Sequence, residues 1–163
     1  MGMHHIASSV SERHTITKSI RAQLYSANLT QPKAVTARVR HNTRRPAKDR
    51  FVYASLLLSG QRTQPYLHDT VVTIQYGGRV FTFLVFFKRH KRLPVNVPIQ
   101  NIGGKVMRGD VLLVACGTKV SIRNLQSGLE DRAADRAVKR LSEQLDPIAN
   151  RRYFRSKYSF LEE

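Results

Sequence analysis

One stretch constrains this chain more than any other: VVTIQY-GG-RVFTFLVFF, residues 71–87. Two adjacent glycines supply the positive backbone angles that a two-residue hairpin turn requires. With Gly77-Gly78 as the turn, Tyr76 pairs with Arg79, Ile74 with Phe81 and Val72 with Phe83. Because successive strand side chains point to opposite faces, Val72, Ile74, Phe81, Phe83 and Val85 then share one face. That face is the expected core. Val71, Thr73, Gln75, Val80 and Thr82 fall on the other.

The rest of the chain is fitted around this hairpin. Ser9-x-x-Glu12 is a capping-box pattern, and Ile16, Ile20 and Leu24 follow at four-residue spacing, which predicts a helix over about 10–27. Val35, Ala37 and Val39 alternate with Thr36, Arg38 and Arg40, a strand with one buried and one basic face. The segment 41–50 is a polar, Pro-containing loop, 51–59 (FVYASLLLS) a strand candidate, and 60–69 a connection. VNVPI (95–99), a Gly-Gly turn, DVLLVACG (110–117) as a central strand and KVSIR (119–123) as a short one complete a β-rich core over about 34–123. A helix over about 128–146 follows. Ser127-x-x-Glu130 caps it, Pro147 stops it, and Ala134, Ala137, Val138, Leu141 and Leu145 are its buried stripe. An aromatic and basic tail ends the chain. The expected architecture is a single α+β domain, a curved antiparallel sheet or small β-barrel of about five to seven strands flanked by an N-terminal and a C-terminal helix.

Charge points to the partner. The net charge is +17 across 163 residues, beyond the roughly 2–8 that solubility asks for. It is unevenly spread: residues 1–129 carry 20 Lys and Arg against four acids, whereas 130–163 carry eight against seven. Cations that neutralise phosphates release condensed counterions, so nucleic acid is the expected partner, RNA ahead of DNA. Three basic clusters are the candidate contacts. The first is Arg38, Arg40, Arg44, Arg45, Lys48 and Arg50. The second, after the hairpin, is Lys88, Arg89, Lys91 and Arg92. The third is Arg151, Arg152, Arg155 and Lys157, interleaved with Tyr153, Phe154, Tyr158 and Phe160, aromatics that suit either stacking on unpaired bases or packing as a terminal element. The C-terminal helix, nearly neutral as a segment, is expected to pack or to meet a protein partner or a second copy.

Other chemistry finds little material. The glycines of NIGGKVMRGD (101–110) lack P-loop spacing and lead into a strand. Cys116 lies in an apolar strand, where a thiol is packing, and no Cys/His spacing suits zinc. No catalytic residue, metal or cofactor is expected. A metal-independent ribonuclease built on His41, His68 and His90 is the alternative enzyme reading, and a capsid or ribonucleoprotein subunit is the structural one. The longest apolar run, 80–87, is too short to span a bilayer as a helix. With a single cysteine and no secretory pattern at the start, an intracellular, reducing location, nucleus or cytoplasm, is expected.

Overall fold

Backbone pairing in the computed structural model, which describes residues 15–42, 67–88, 92–117 and 121–145, defines six strands and two helices. The strands are β1 (Thr15–Tyr25), β2 (Lys33–Asn42), β3 (Leu67–Tyr76), β4 (Arg79–Lys88), β5 (Val111–Cys116) and β6 (Ile122–Arg123). The helices are α1 (Val97–Asn101) and α2 (Leu129–Gln144). All pairings are antiparallel. The strand order is β2-β1-β5-β4-β3, with β6 on β5. Among the described residues β2 and β3 each have one neighbour, so the sheet is open and not a closed barrel. The class is α+β.

The hairpin forms in the expected register, Tyr76 opposite Arg79, Ile74 opposite Phe81 and Val72 opposite Phe83. Gly77 and Gly78 take φ of 57° and 74°, the left-handed region in which a side chain is disfavoured. β5 is the hub. It pairs β4 along its full length, β1 through Val111–Leu113 and β6 through Ala115 and Cys116, and all six of its residues are buried. Where β1 leaves β5, residues 124 and 125 run beside it: Leu125 donates its N–H to Arg21 O at 2.9 Å, and Arg21 N–H donates to Asn124 Oδ1 at 2.7 Å.

Two apolar layers result. On one face Val72, Ile74, Phe81, Phe83, Val85, Leu113 and Ala115 pack with Ala133, Ala134, Ala137, Val138 and Leu141 of α2. On the other, Leu84, Phe86, Leu112, Val114 and Cys116 cluster with Ile20, Ala22, Ala37, Val39 and Ile122. This second face is apolar only in part. Val71, midway along β3, and Val80, near the hairpin tip, are 50% and 67% exposed.

The first element departs from expectation. Residues 15–25 are a strand, not part of a helix. A four-residue spacing is also a multiple of two, so Ile16, Ile20 and Leu24 share a strand face as readily as a helix face. The intervening Lys18 and Ala22 complete that alternation, and the β-branched Thr15, Ile16, Thr17 and Ile20 favour the extended chain. The proposed cap at Ser9–Glu12 lies outside the described residues, as do the strand candidate 51–59, most of the loop 41–50 and the tail. VNVPI also differs. Buried Asn96 caps α1 by accepting from Ile99 N–H at 3.2 Å, and its Nδ2 donates to Tyr25 O and Gly109 O at 2.7 and 2.8 Å. One amide thereby ties the β4–β5 connection to the end of β1. The C-terminal helix holds nearly to the expected limits, although its N-cap is Gly128 rather than Ser127.

Leu129 packs on the hairpin tip: a Cβ built on Gly77 would lie 2.9 Å from Leu129 Cδ1, whereas one on Gly78 would meet open space. Gly78→Ala should therefore lose about 1 kcal/mol from the left-handed backbone alone, and Gly77→Ala more, in urea unfolding midpoints. Equal losses would contradict the contact between the hairpin tip and the helix.

Candidate nucleic-acid interface

Three of the four acids of α2, Glu130, Asp131 and Asp135, are turned toward the sheet. Glu130, 4% exposed, accepts from both guanidinium nitrogens of Arg123 on β6, at 2.8 and 2.7 Å, and from Gln126 N–H at 2.9 Å. Asp131 faces Arg21 of β1 at 3.3 Å and accepts from Gly128 N–H at 3.3 Å. Asp135 accepts from the buried Tyr25 hydroxyl at 2.7 Å. Elsewhere, buried Asp110 accepts from Ala27 N–H at 2.8 Å, fixing the turn after β1. Each of these carboxylates holds the fold together and leaves the surface electrostatically positive.

Burial works to raise the Glu130 carboxyl, but it is outweighed by the Arg123 hydrogen bond, the Gln126 amide and the charges of Arg123 and Arg79, so Glu130 sits below its ordinary value. Asp135 is shifted the other way, raised by burial and by the nearby Asp131 charge against the lowering effect of Tyr25. Tyr25 is pushed well above the usual phenol range, first by burial and then by Asp135.

The exposed charge is of nearly one sign. Among the described residues the exposed carboxylates are Asp69 and Glu143. Exposed cations are Lys33, Arg38 and Arg40 on β2, Arg79 at the hairpin tip, and Arg92, Lys105 and Arg108 between β4 and β5. Arg132, Arg136 and Arg140 on α2 join them.

These positions separate the sequence-predicted sites. Arg38 and Arg40 lie opposite Ser19 and Thr17 on one face of the β1–β2 pair, exposed as their alternation with Ala37 and Val39 requires. Arg92 follows β4 at the end of the sheet where Phe87, Val111 and Tyr25 meet. β2 begins at that same end, since Lys33 is opposite Leu24, and Arg38 is five residues farther along, about 17 Å at the strand rise. The described members of the two clusters, Arg38 and Arg40 on one side and Arg92 on the other, thus lie apart along the sheet. Lys88 is not on a loop: β4 continues through it, opposite Leu67, and it is 5% exposed. Arg44, Arg45, Lys48, Arg50, Arg89, Lys91, Arg151, Arg152, Arg155 and Lys157 lie outside the described residues.

Arg132, Arg136 and Arg140 were not singled out in the sequence, because the helix that carries them is nearly neutral as a segment. Its neutrality is a segregation. Asp131 and Asp135 project to the β1 flank, and the arginines to the solvent side and the β3 flank. There the Arg136 guanidinium lies 5.1 Å from the Tyr76 ring centroid, and Arg140 Nη1 donates to Thr73 O at 3.0 Å. A helical projection of 129–144 separates the two sets; a segment sum conceals them.

The histidines do not form a site among the described residues. His41 is on β2 and His68 on β3, the two edge strands. The His68 ring stacks on Phe87 with centroids 5.6 Å apart. His90 lies outside the described residues. Among the described residues no group of three or more His, Cys, Asp or Glu could hold a metal ion, Cys116 is a buried thiol, and no helix is long and apolar enough to cross a membrane. No family model, curated protein or solved structure matches the chain.

Because the folded Glu130 value lies below the unfolded one, its contribution is present above the unfolded carboxyl range, near 4.3, and is lost as pH falls through the folded value. Asp135, raised on folding, works against this over the same acid range. Replacing Glu130 by Gln should cost about 1–3 kcal/mol at pH 7, with the difference from wild type shrinking below about pH 4. Chemical denaturation at both pH values measures it. A difference that persists undiminished at pH 3 would contradict a role for the Glu130 charge.

Proposed function

We propose that this chain is a nucleic-acid-binding protein that grips the phosphate backbone through exposed arginines and lysines, with RNA favoured over DNA. The observation that carries this reading is the internal use of the acids. Glu130, Asp131, Asp135 and Asp110 are each hydrogen-bonded within the fold, while arginines and lysines occupy the surface. A surface so biased repels itself, and folding gains nothing from it. A polyanion removes the repulsion and releases its own counterions on binding. Arginine predominates among the exposed cations, which suits bidentate contact with phosphate oxygens.

Support comes from the surface as a whole rather than from convergence of the predicted clusters, whose described members lie apart along the sheet. Contact is therefore expected to be spread over several phosphates. Fluorescence anisotropy of the full chain with a labelled single-stranded RNA should give a log–log salt slope of about −3 or steeper, corresponding to four or more phosphates at about 0.7 each. An affinity that does not change between low and high salt would overturn the proposal.

A further inference from the structure

We propose that the arginine flank of α2, comprising Arg132, Arg136 and Arg140 beside Tyr76, is the track along which the backbone of a single-stranded nucleic acid runs. This rests on the nucleic-acid reading above and adds where the strand lies and which form of nucleic acid it is. Four residues advance about 6 Å along a helix, so the three side chains form a row about 12 Å long. All three are exposed.

Helix stability does not account for the row. Like charges four residues apart destabilise a helix, and here two such pairs follow one another. Arg132 stands in the first turn, where the helix dipole disfavours a cation. The acids that could have neutralised the row, Asp131 and Asp135, point to Arg21 and Tyr25. Glu143, the exposed carboxylate of α2, stands three residues after Arg140, so it is a neighbour of the last arginine only and leaves Arg132 and Arg136 outside its reach. The fold instead holds the arginines in place: Arg136 over the Tyr76 ring at 5.1 Å and Arg140 on the Thr73 carbonyl at 3.0 Å. A row of pre-positioned guanidinium groups loses little freedom when it takes up phosphates.

Single-stranded form follows from Tyr76 and from the direction of the row. The half-buried Tyr76 ring packs against the core and holds the exposed Arg136 guanidinium over it; a guanidinium plane held in this way accepts an unstacked base, and duplex bases are not available for it. Arg136 and Arg140 also lean off the crest of α2 onto the β3 edge, which suits a strand lying along the flank better than a helix entering a groove.

The test compares the full-length wild type with R132Q/R136Q/R140Q, R132K/R136K/R140K and, on β2 beyond the opposite flank of α2, R38Q/R40Q. Each is titrated with a single-stranded oligonucleotide, a duplex of equal length and phosphatidylserine/phosphatidylcholine vesicles across a salt series. The triple Gln variant should bind the single strand about 100-fold more weakly at 0.1 M salt, with a slope less negative by about 2, the value for three phosphates. The triple Lys variant should keep the wild-type slope. Should the triple Gln variant not fold, Arg132→Gln alone, at an exposed position, should reduce the slope by about 0.7. A wild-type slope in the Gln variants, with R38Q/R40Q carrying the loss, would overturn this inference and leave the nucleic-acid reading standing. Duplex bound as tightly as single strand would overturn the single-strand assignment. Binding to the vesicles alone would overturn both proposals.

Discussion

The pairing of Glu130 with Arg123 is the interaction on which the arrangement of charge depends. A carboxylate this deeply buried is tolerated only with a full set of partners, and Glu130 has them in the Arg123 fork and the Gln126 amide. Arg123 is half of the two-residue strand β6, so the pair fixes α2 to the sheet beside β5. Once Glu130 faces inward, helical geometry decides the rest. Asp131 and Asp135 fall toward β1, where Arg21 and Tyr25 receive them, and Arg132, Arg136 and Arg140 are carried to the other side. The same contact that docks the helix therefore polarises it.

The sheet supplies the second half of that effect. Leu129 lies over Gly77, which aligns the start of α2 with the tip of the β3–β4 hairpin. Because β3 is an edge strand among the described residues, its Thr73 carbonyl is open to Arg140, and Tyr76 offers its ring to Arg136. Satisfying an edge carbonyl with an arginine also blunts that edge against pairing with another chain. Stability and surface charge are thus served by the same side chains.

How much of this was legible in the sequence depended on whether its local patterns were ambiguous. The β3–β4 register followed from Gly77-Gly78, because only a two-residue turn fits there and period-two alternation admits one core face. α2 followed from its apolar stripe at helical spacing. β1 has the local pattern of a helix as well as of a strand, because Ile16, Ile20 and Leu24 satisfy both periods. What decides between them is the pairing of β1 with β2 along its length, a contact between segments that local spacing does not encode. Arg38 and Arg40 were legible as the exposed partners of Ala37 and Val39. The α2 arginines were masked by adding opposite charges that the helix separates, and Lys88 by taking the hairpin strand to end one residue early.

The central claim is that acids drawn inward leave a positive flank which meets a nucleic-acid backbone. Side-chain guanidinium NMR of the full chain, titrated with a single-stranded oligonucleotide, tests it most directly. The account predicts that the signals of Arg132, Arg136 and Arg140 shift together and saturably while Arg123, held by Glu130, stays in place. Shifts confined to Arg38, Arg40 and Arg92, with the α2 signals unmoved, would contradict it.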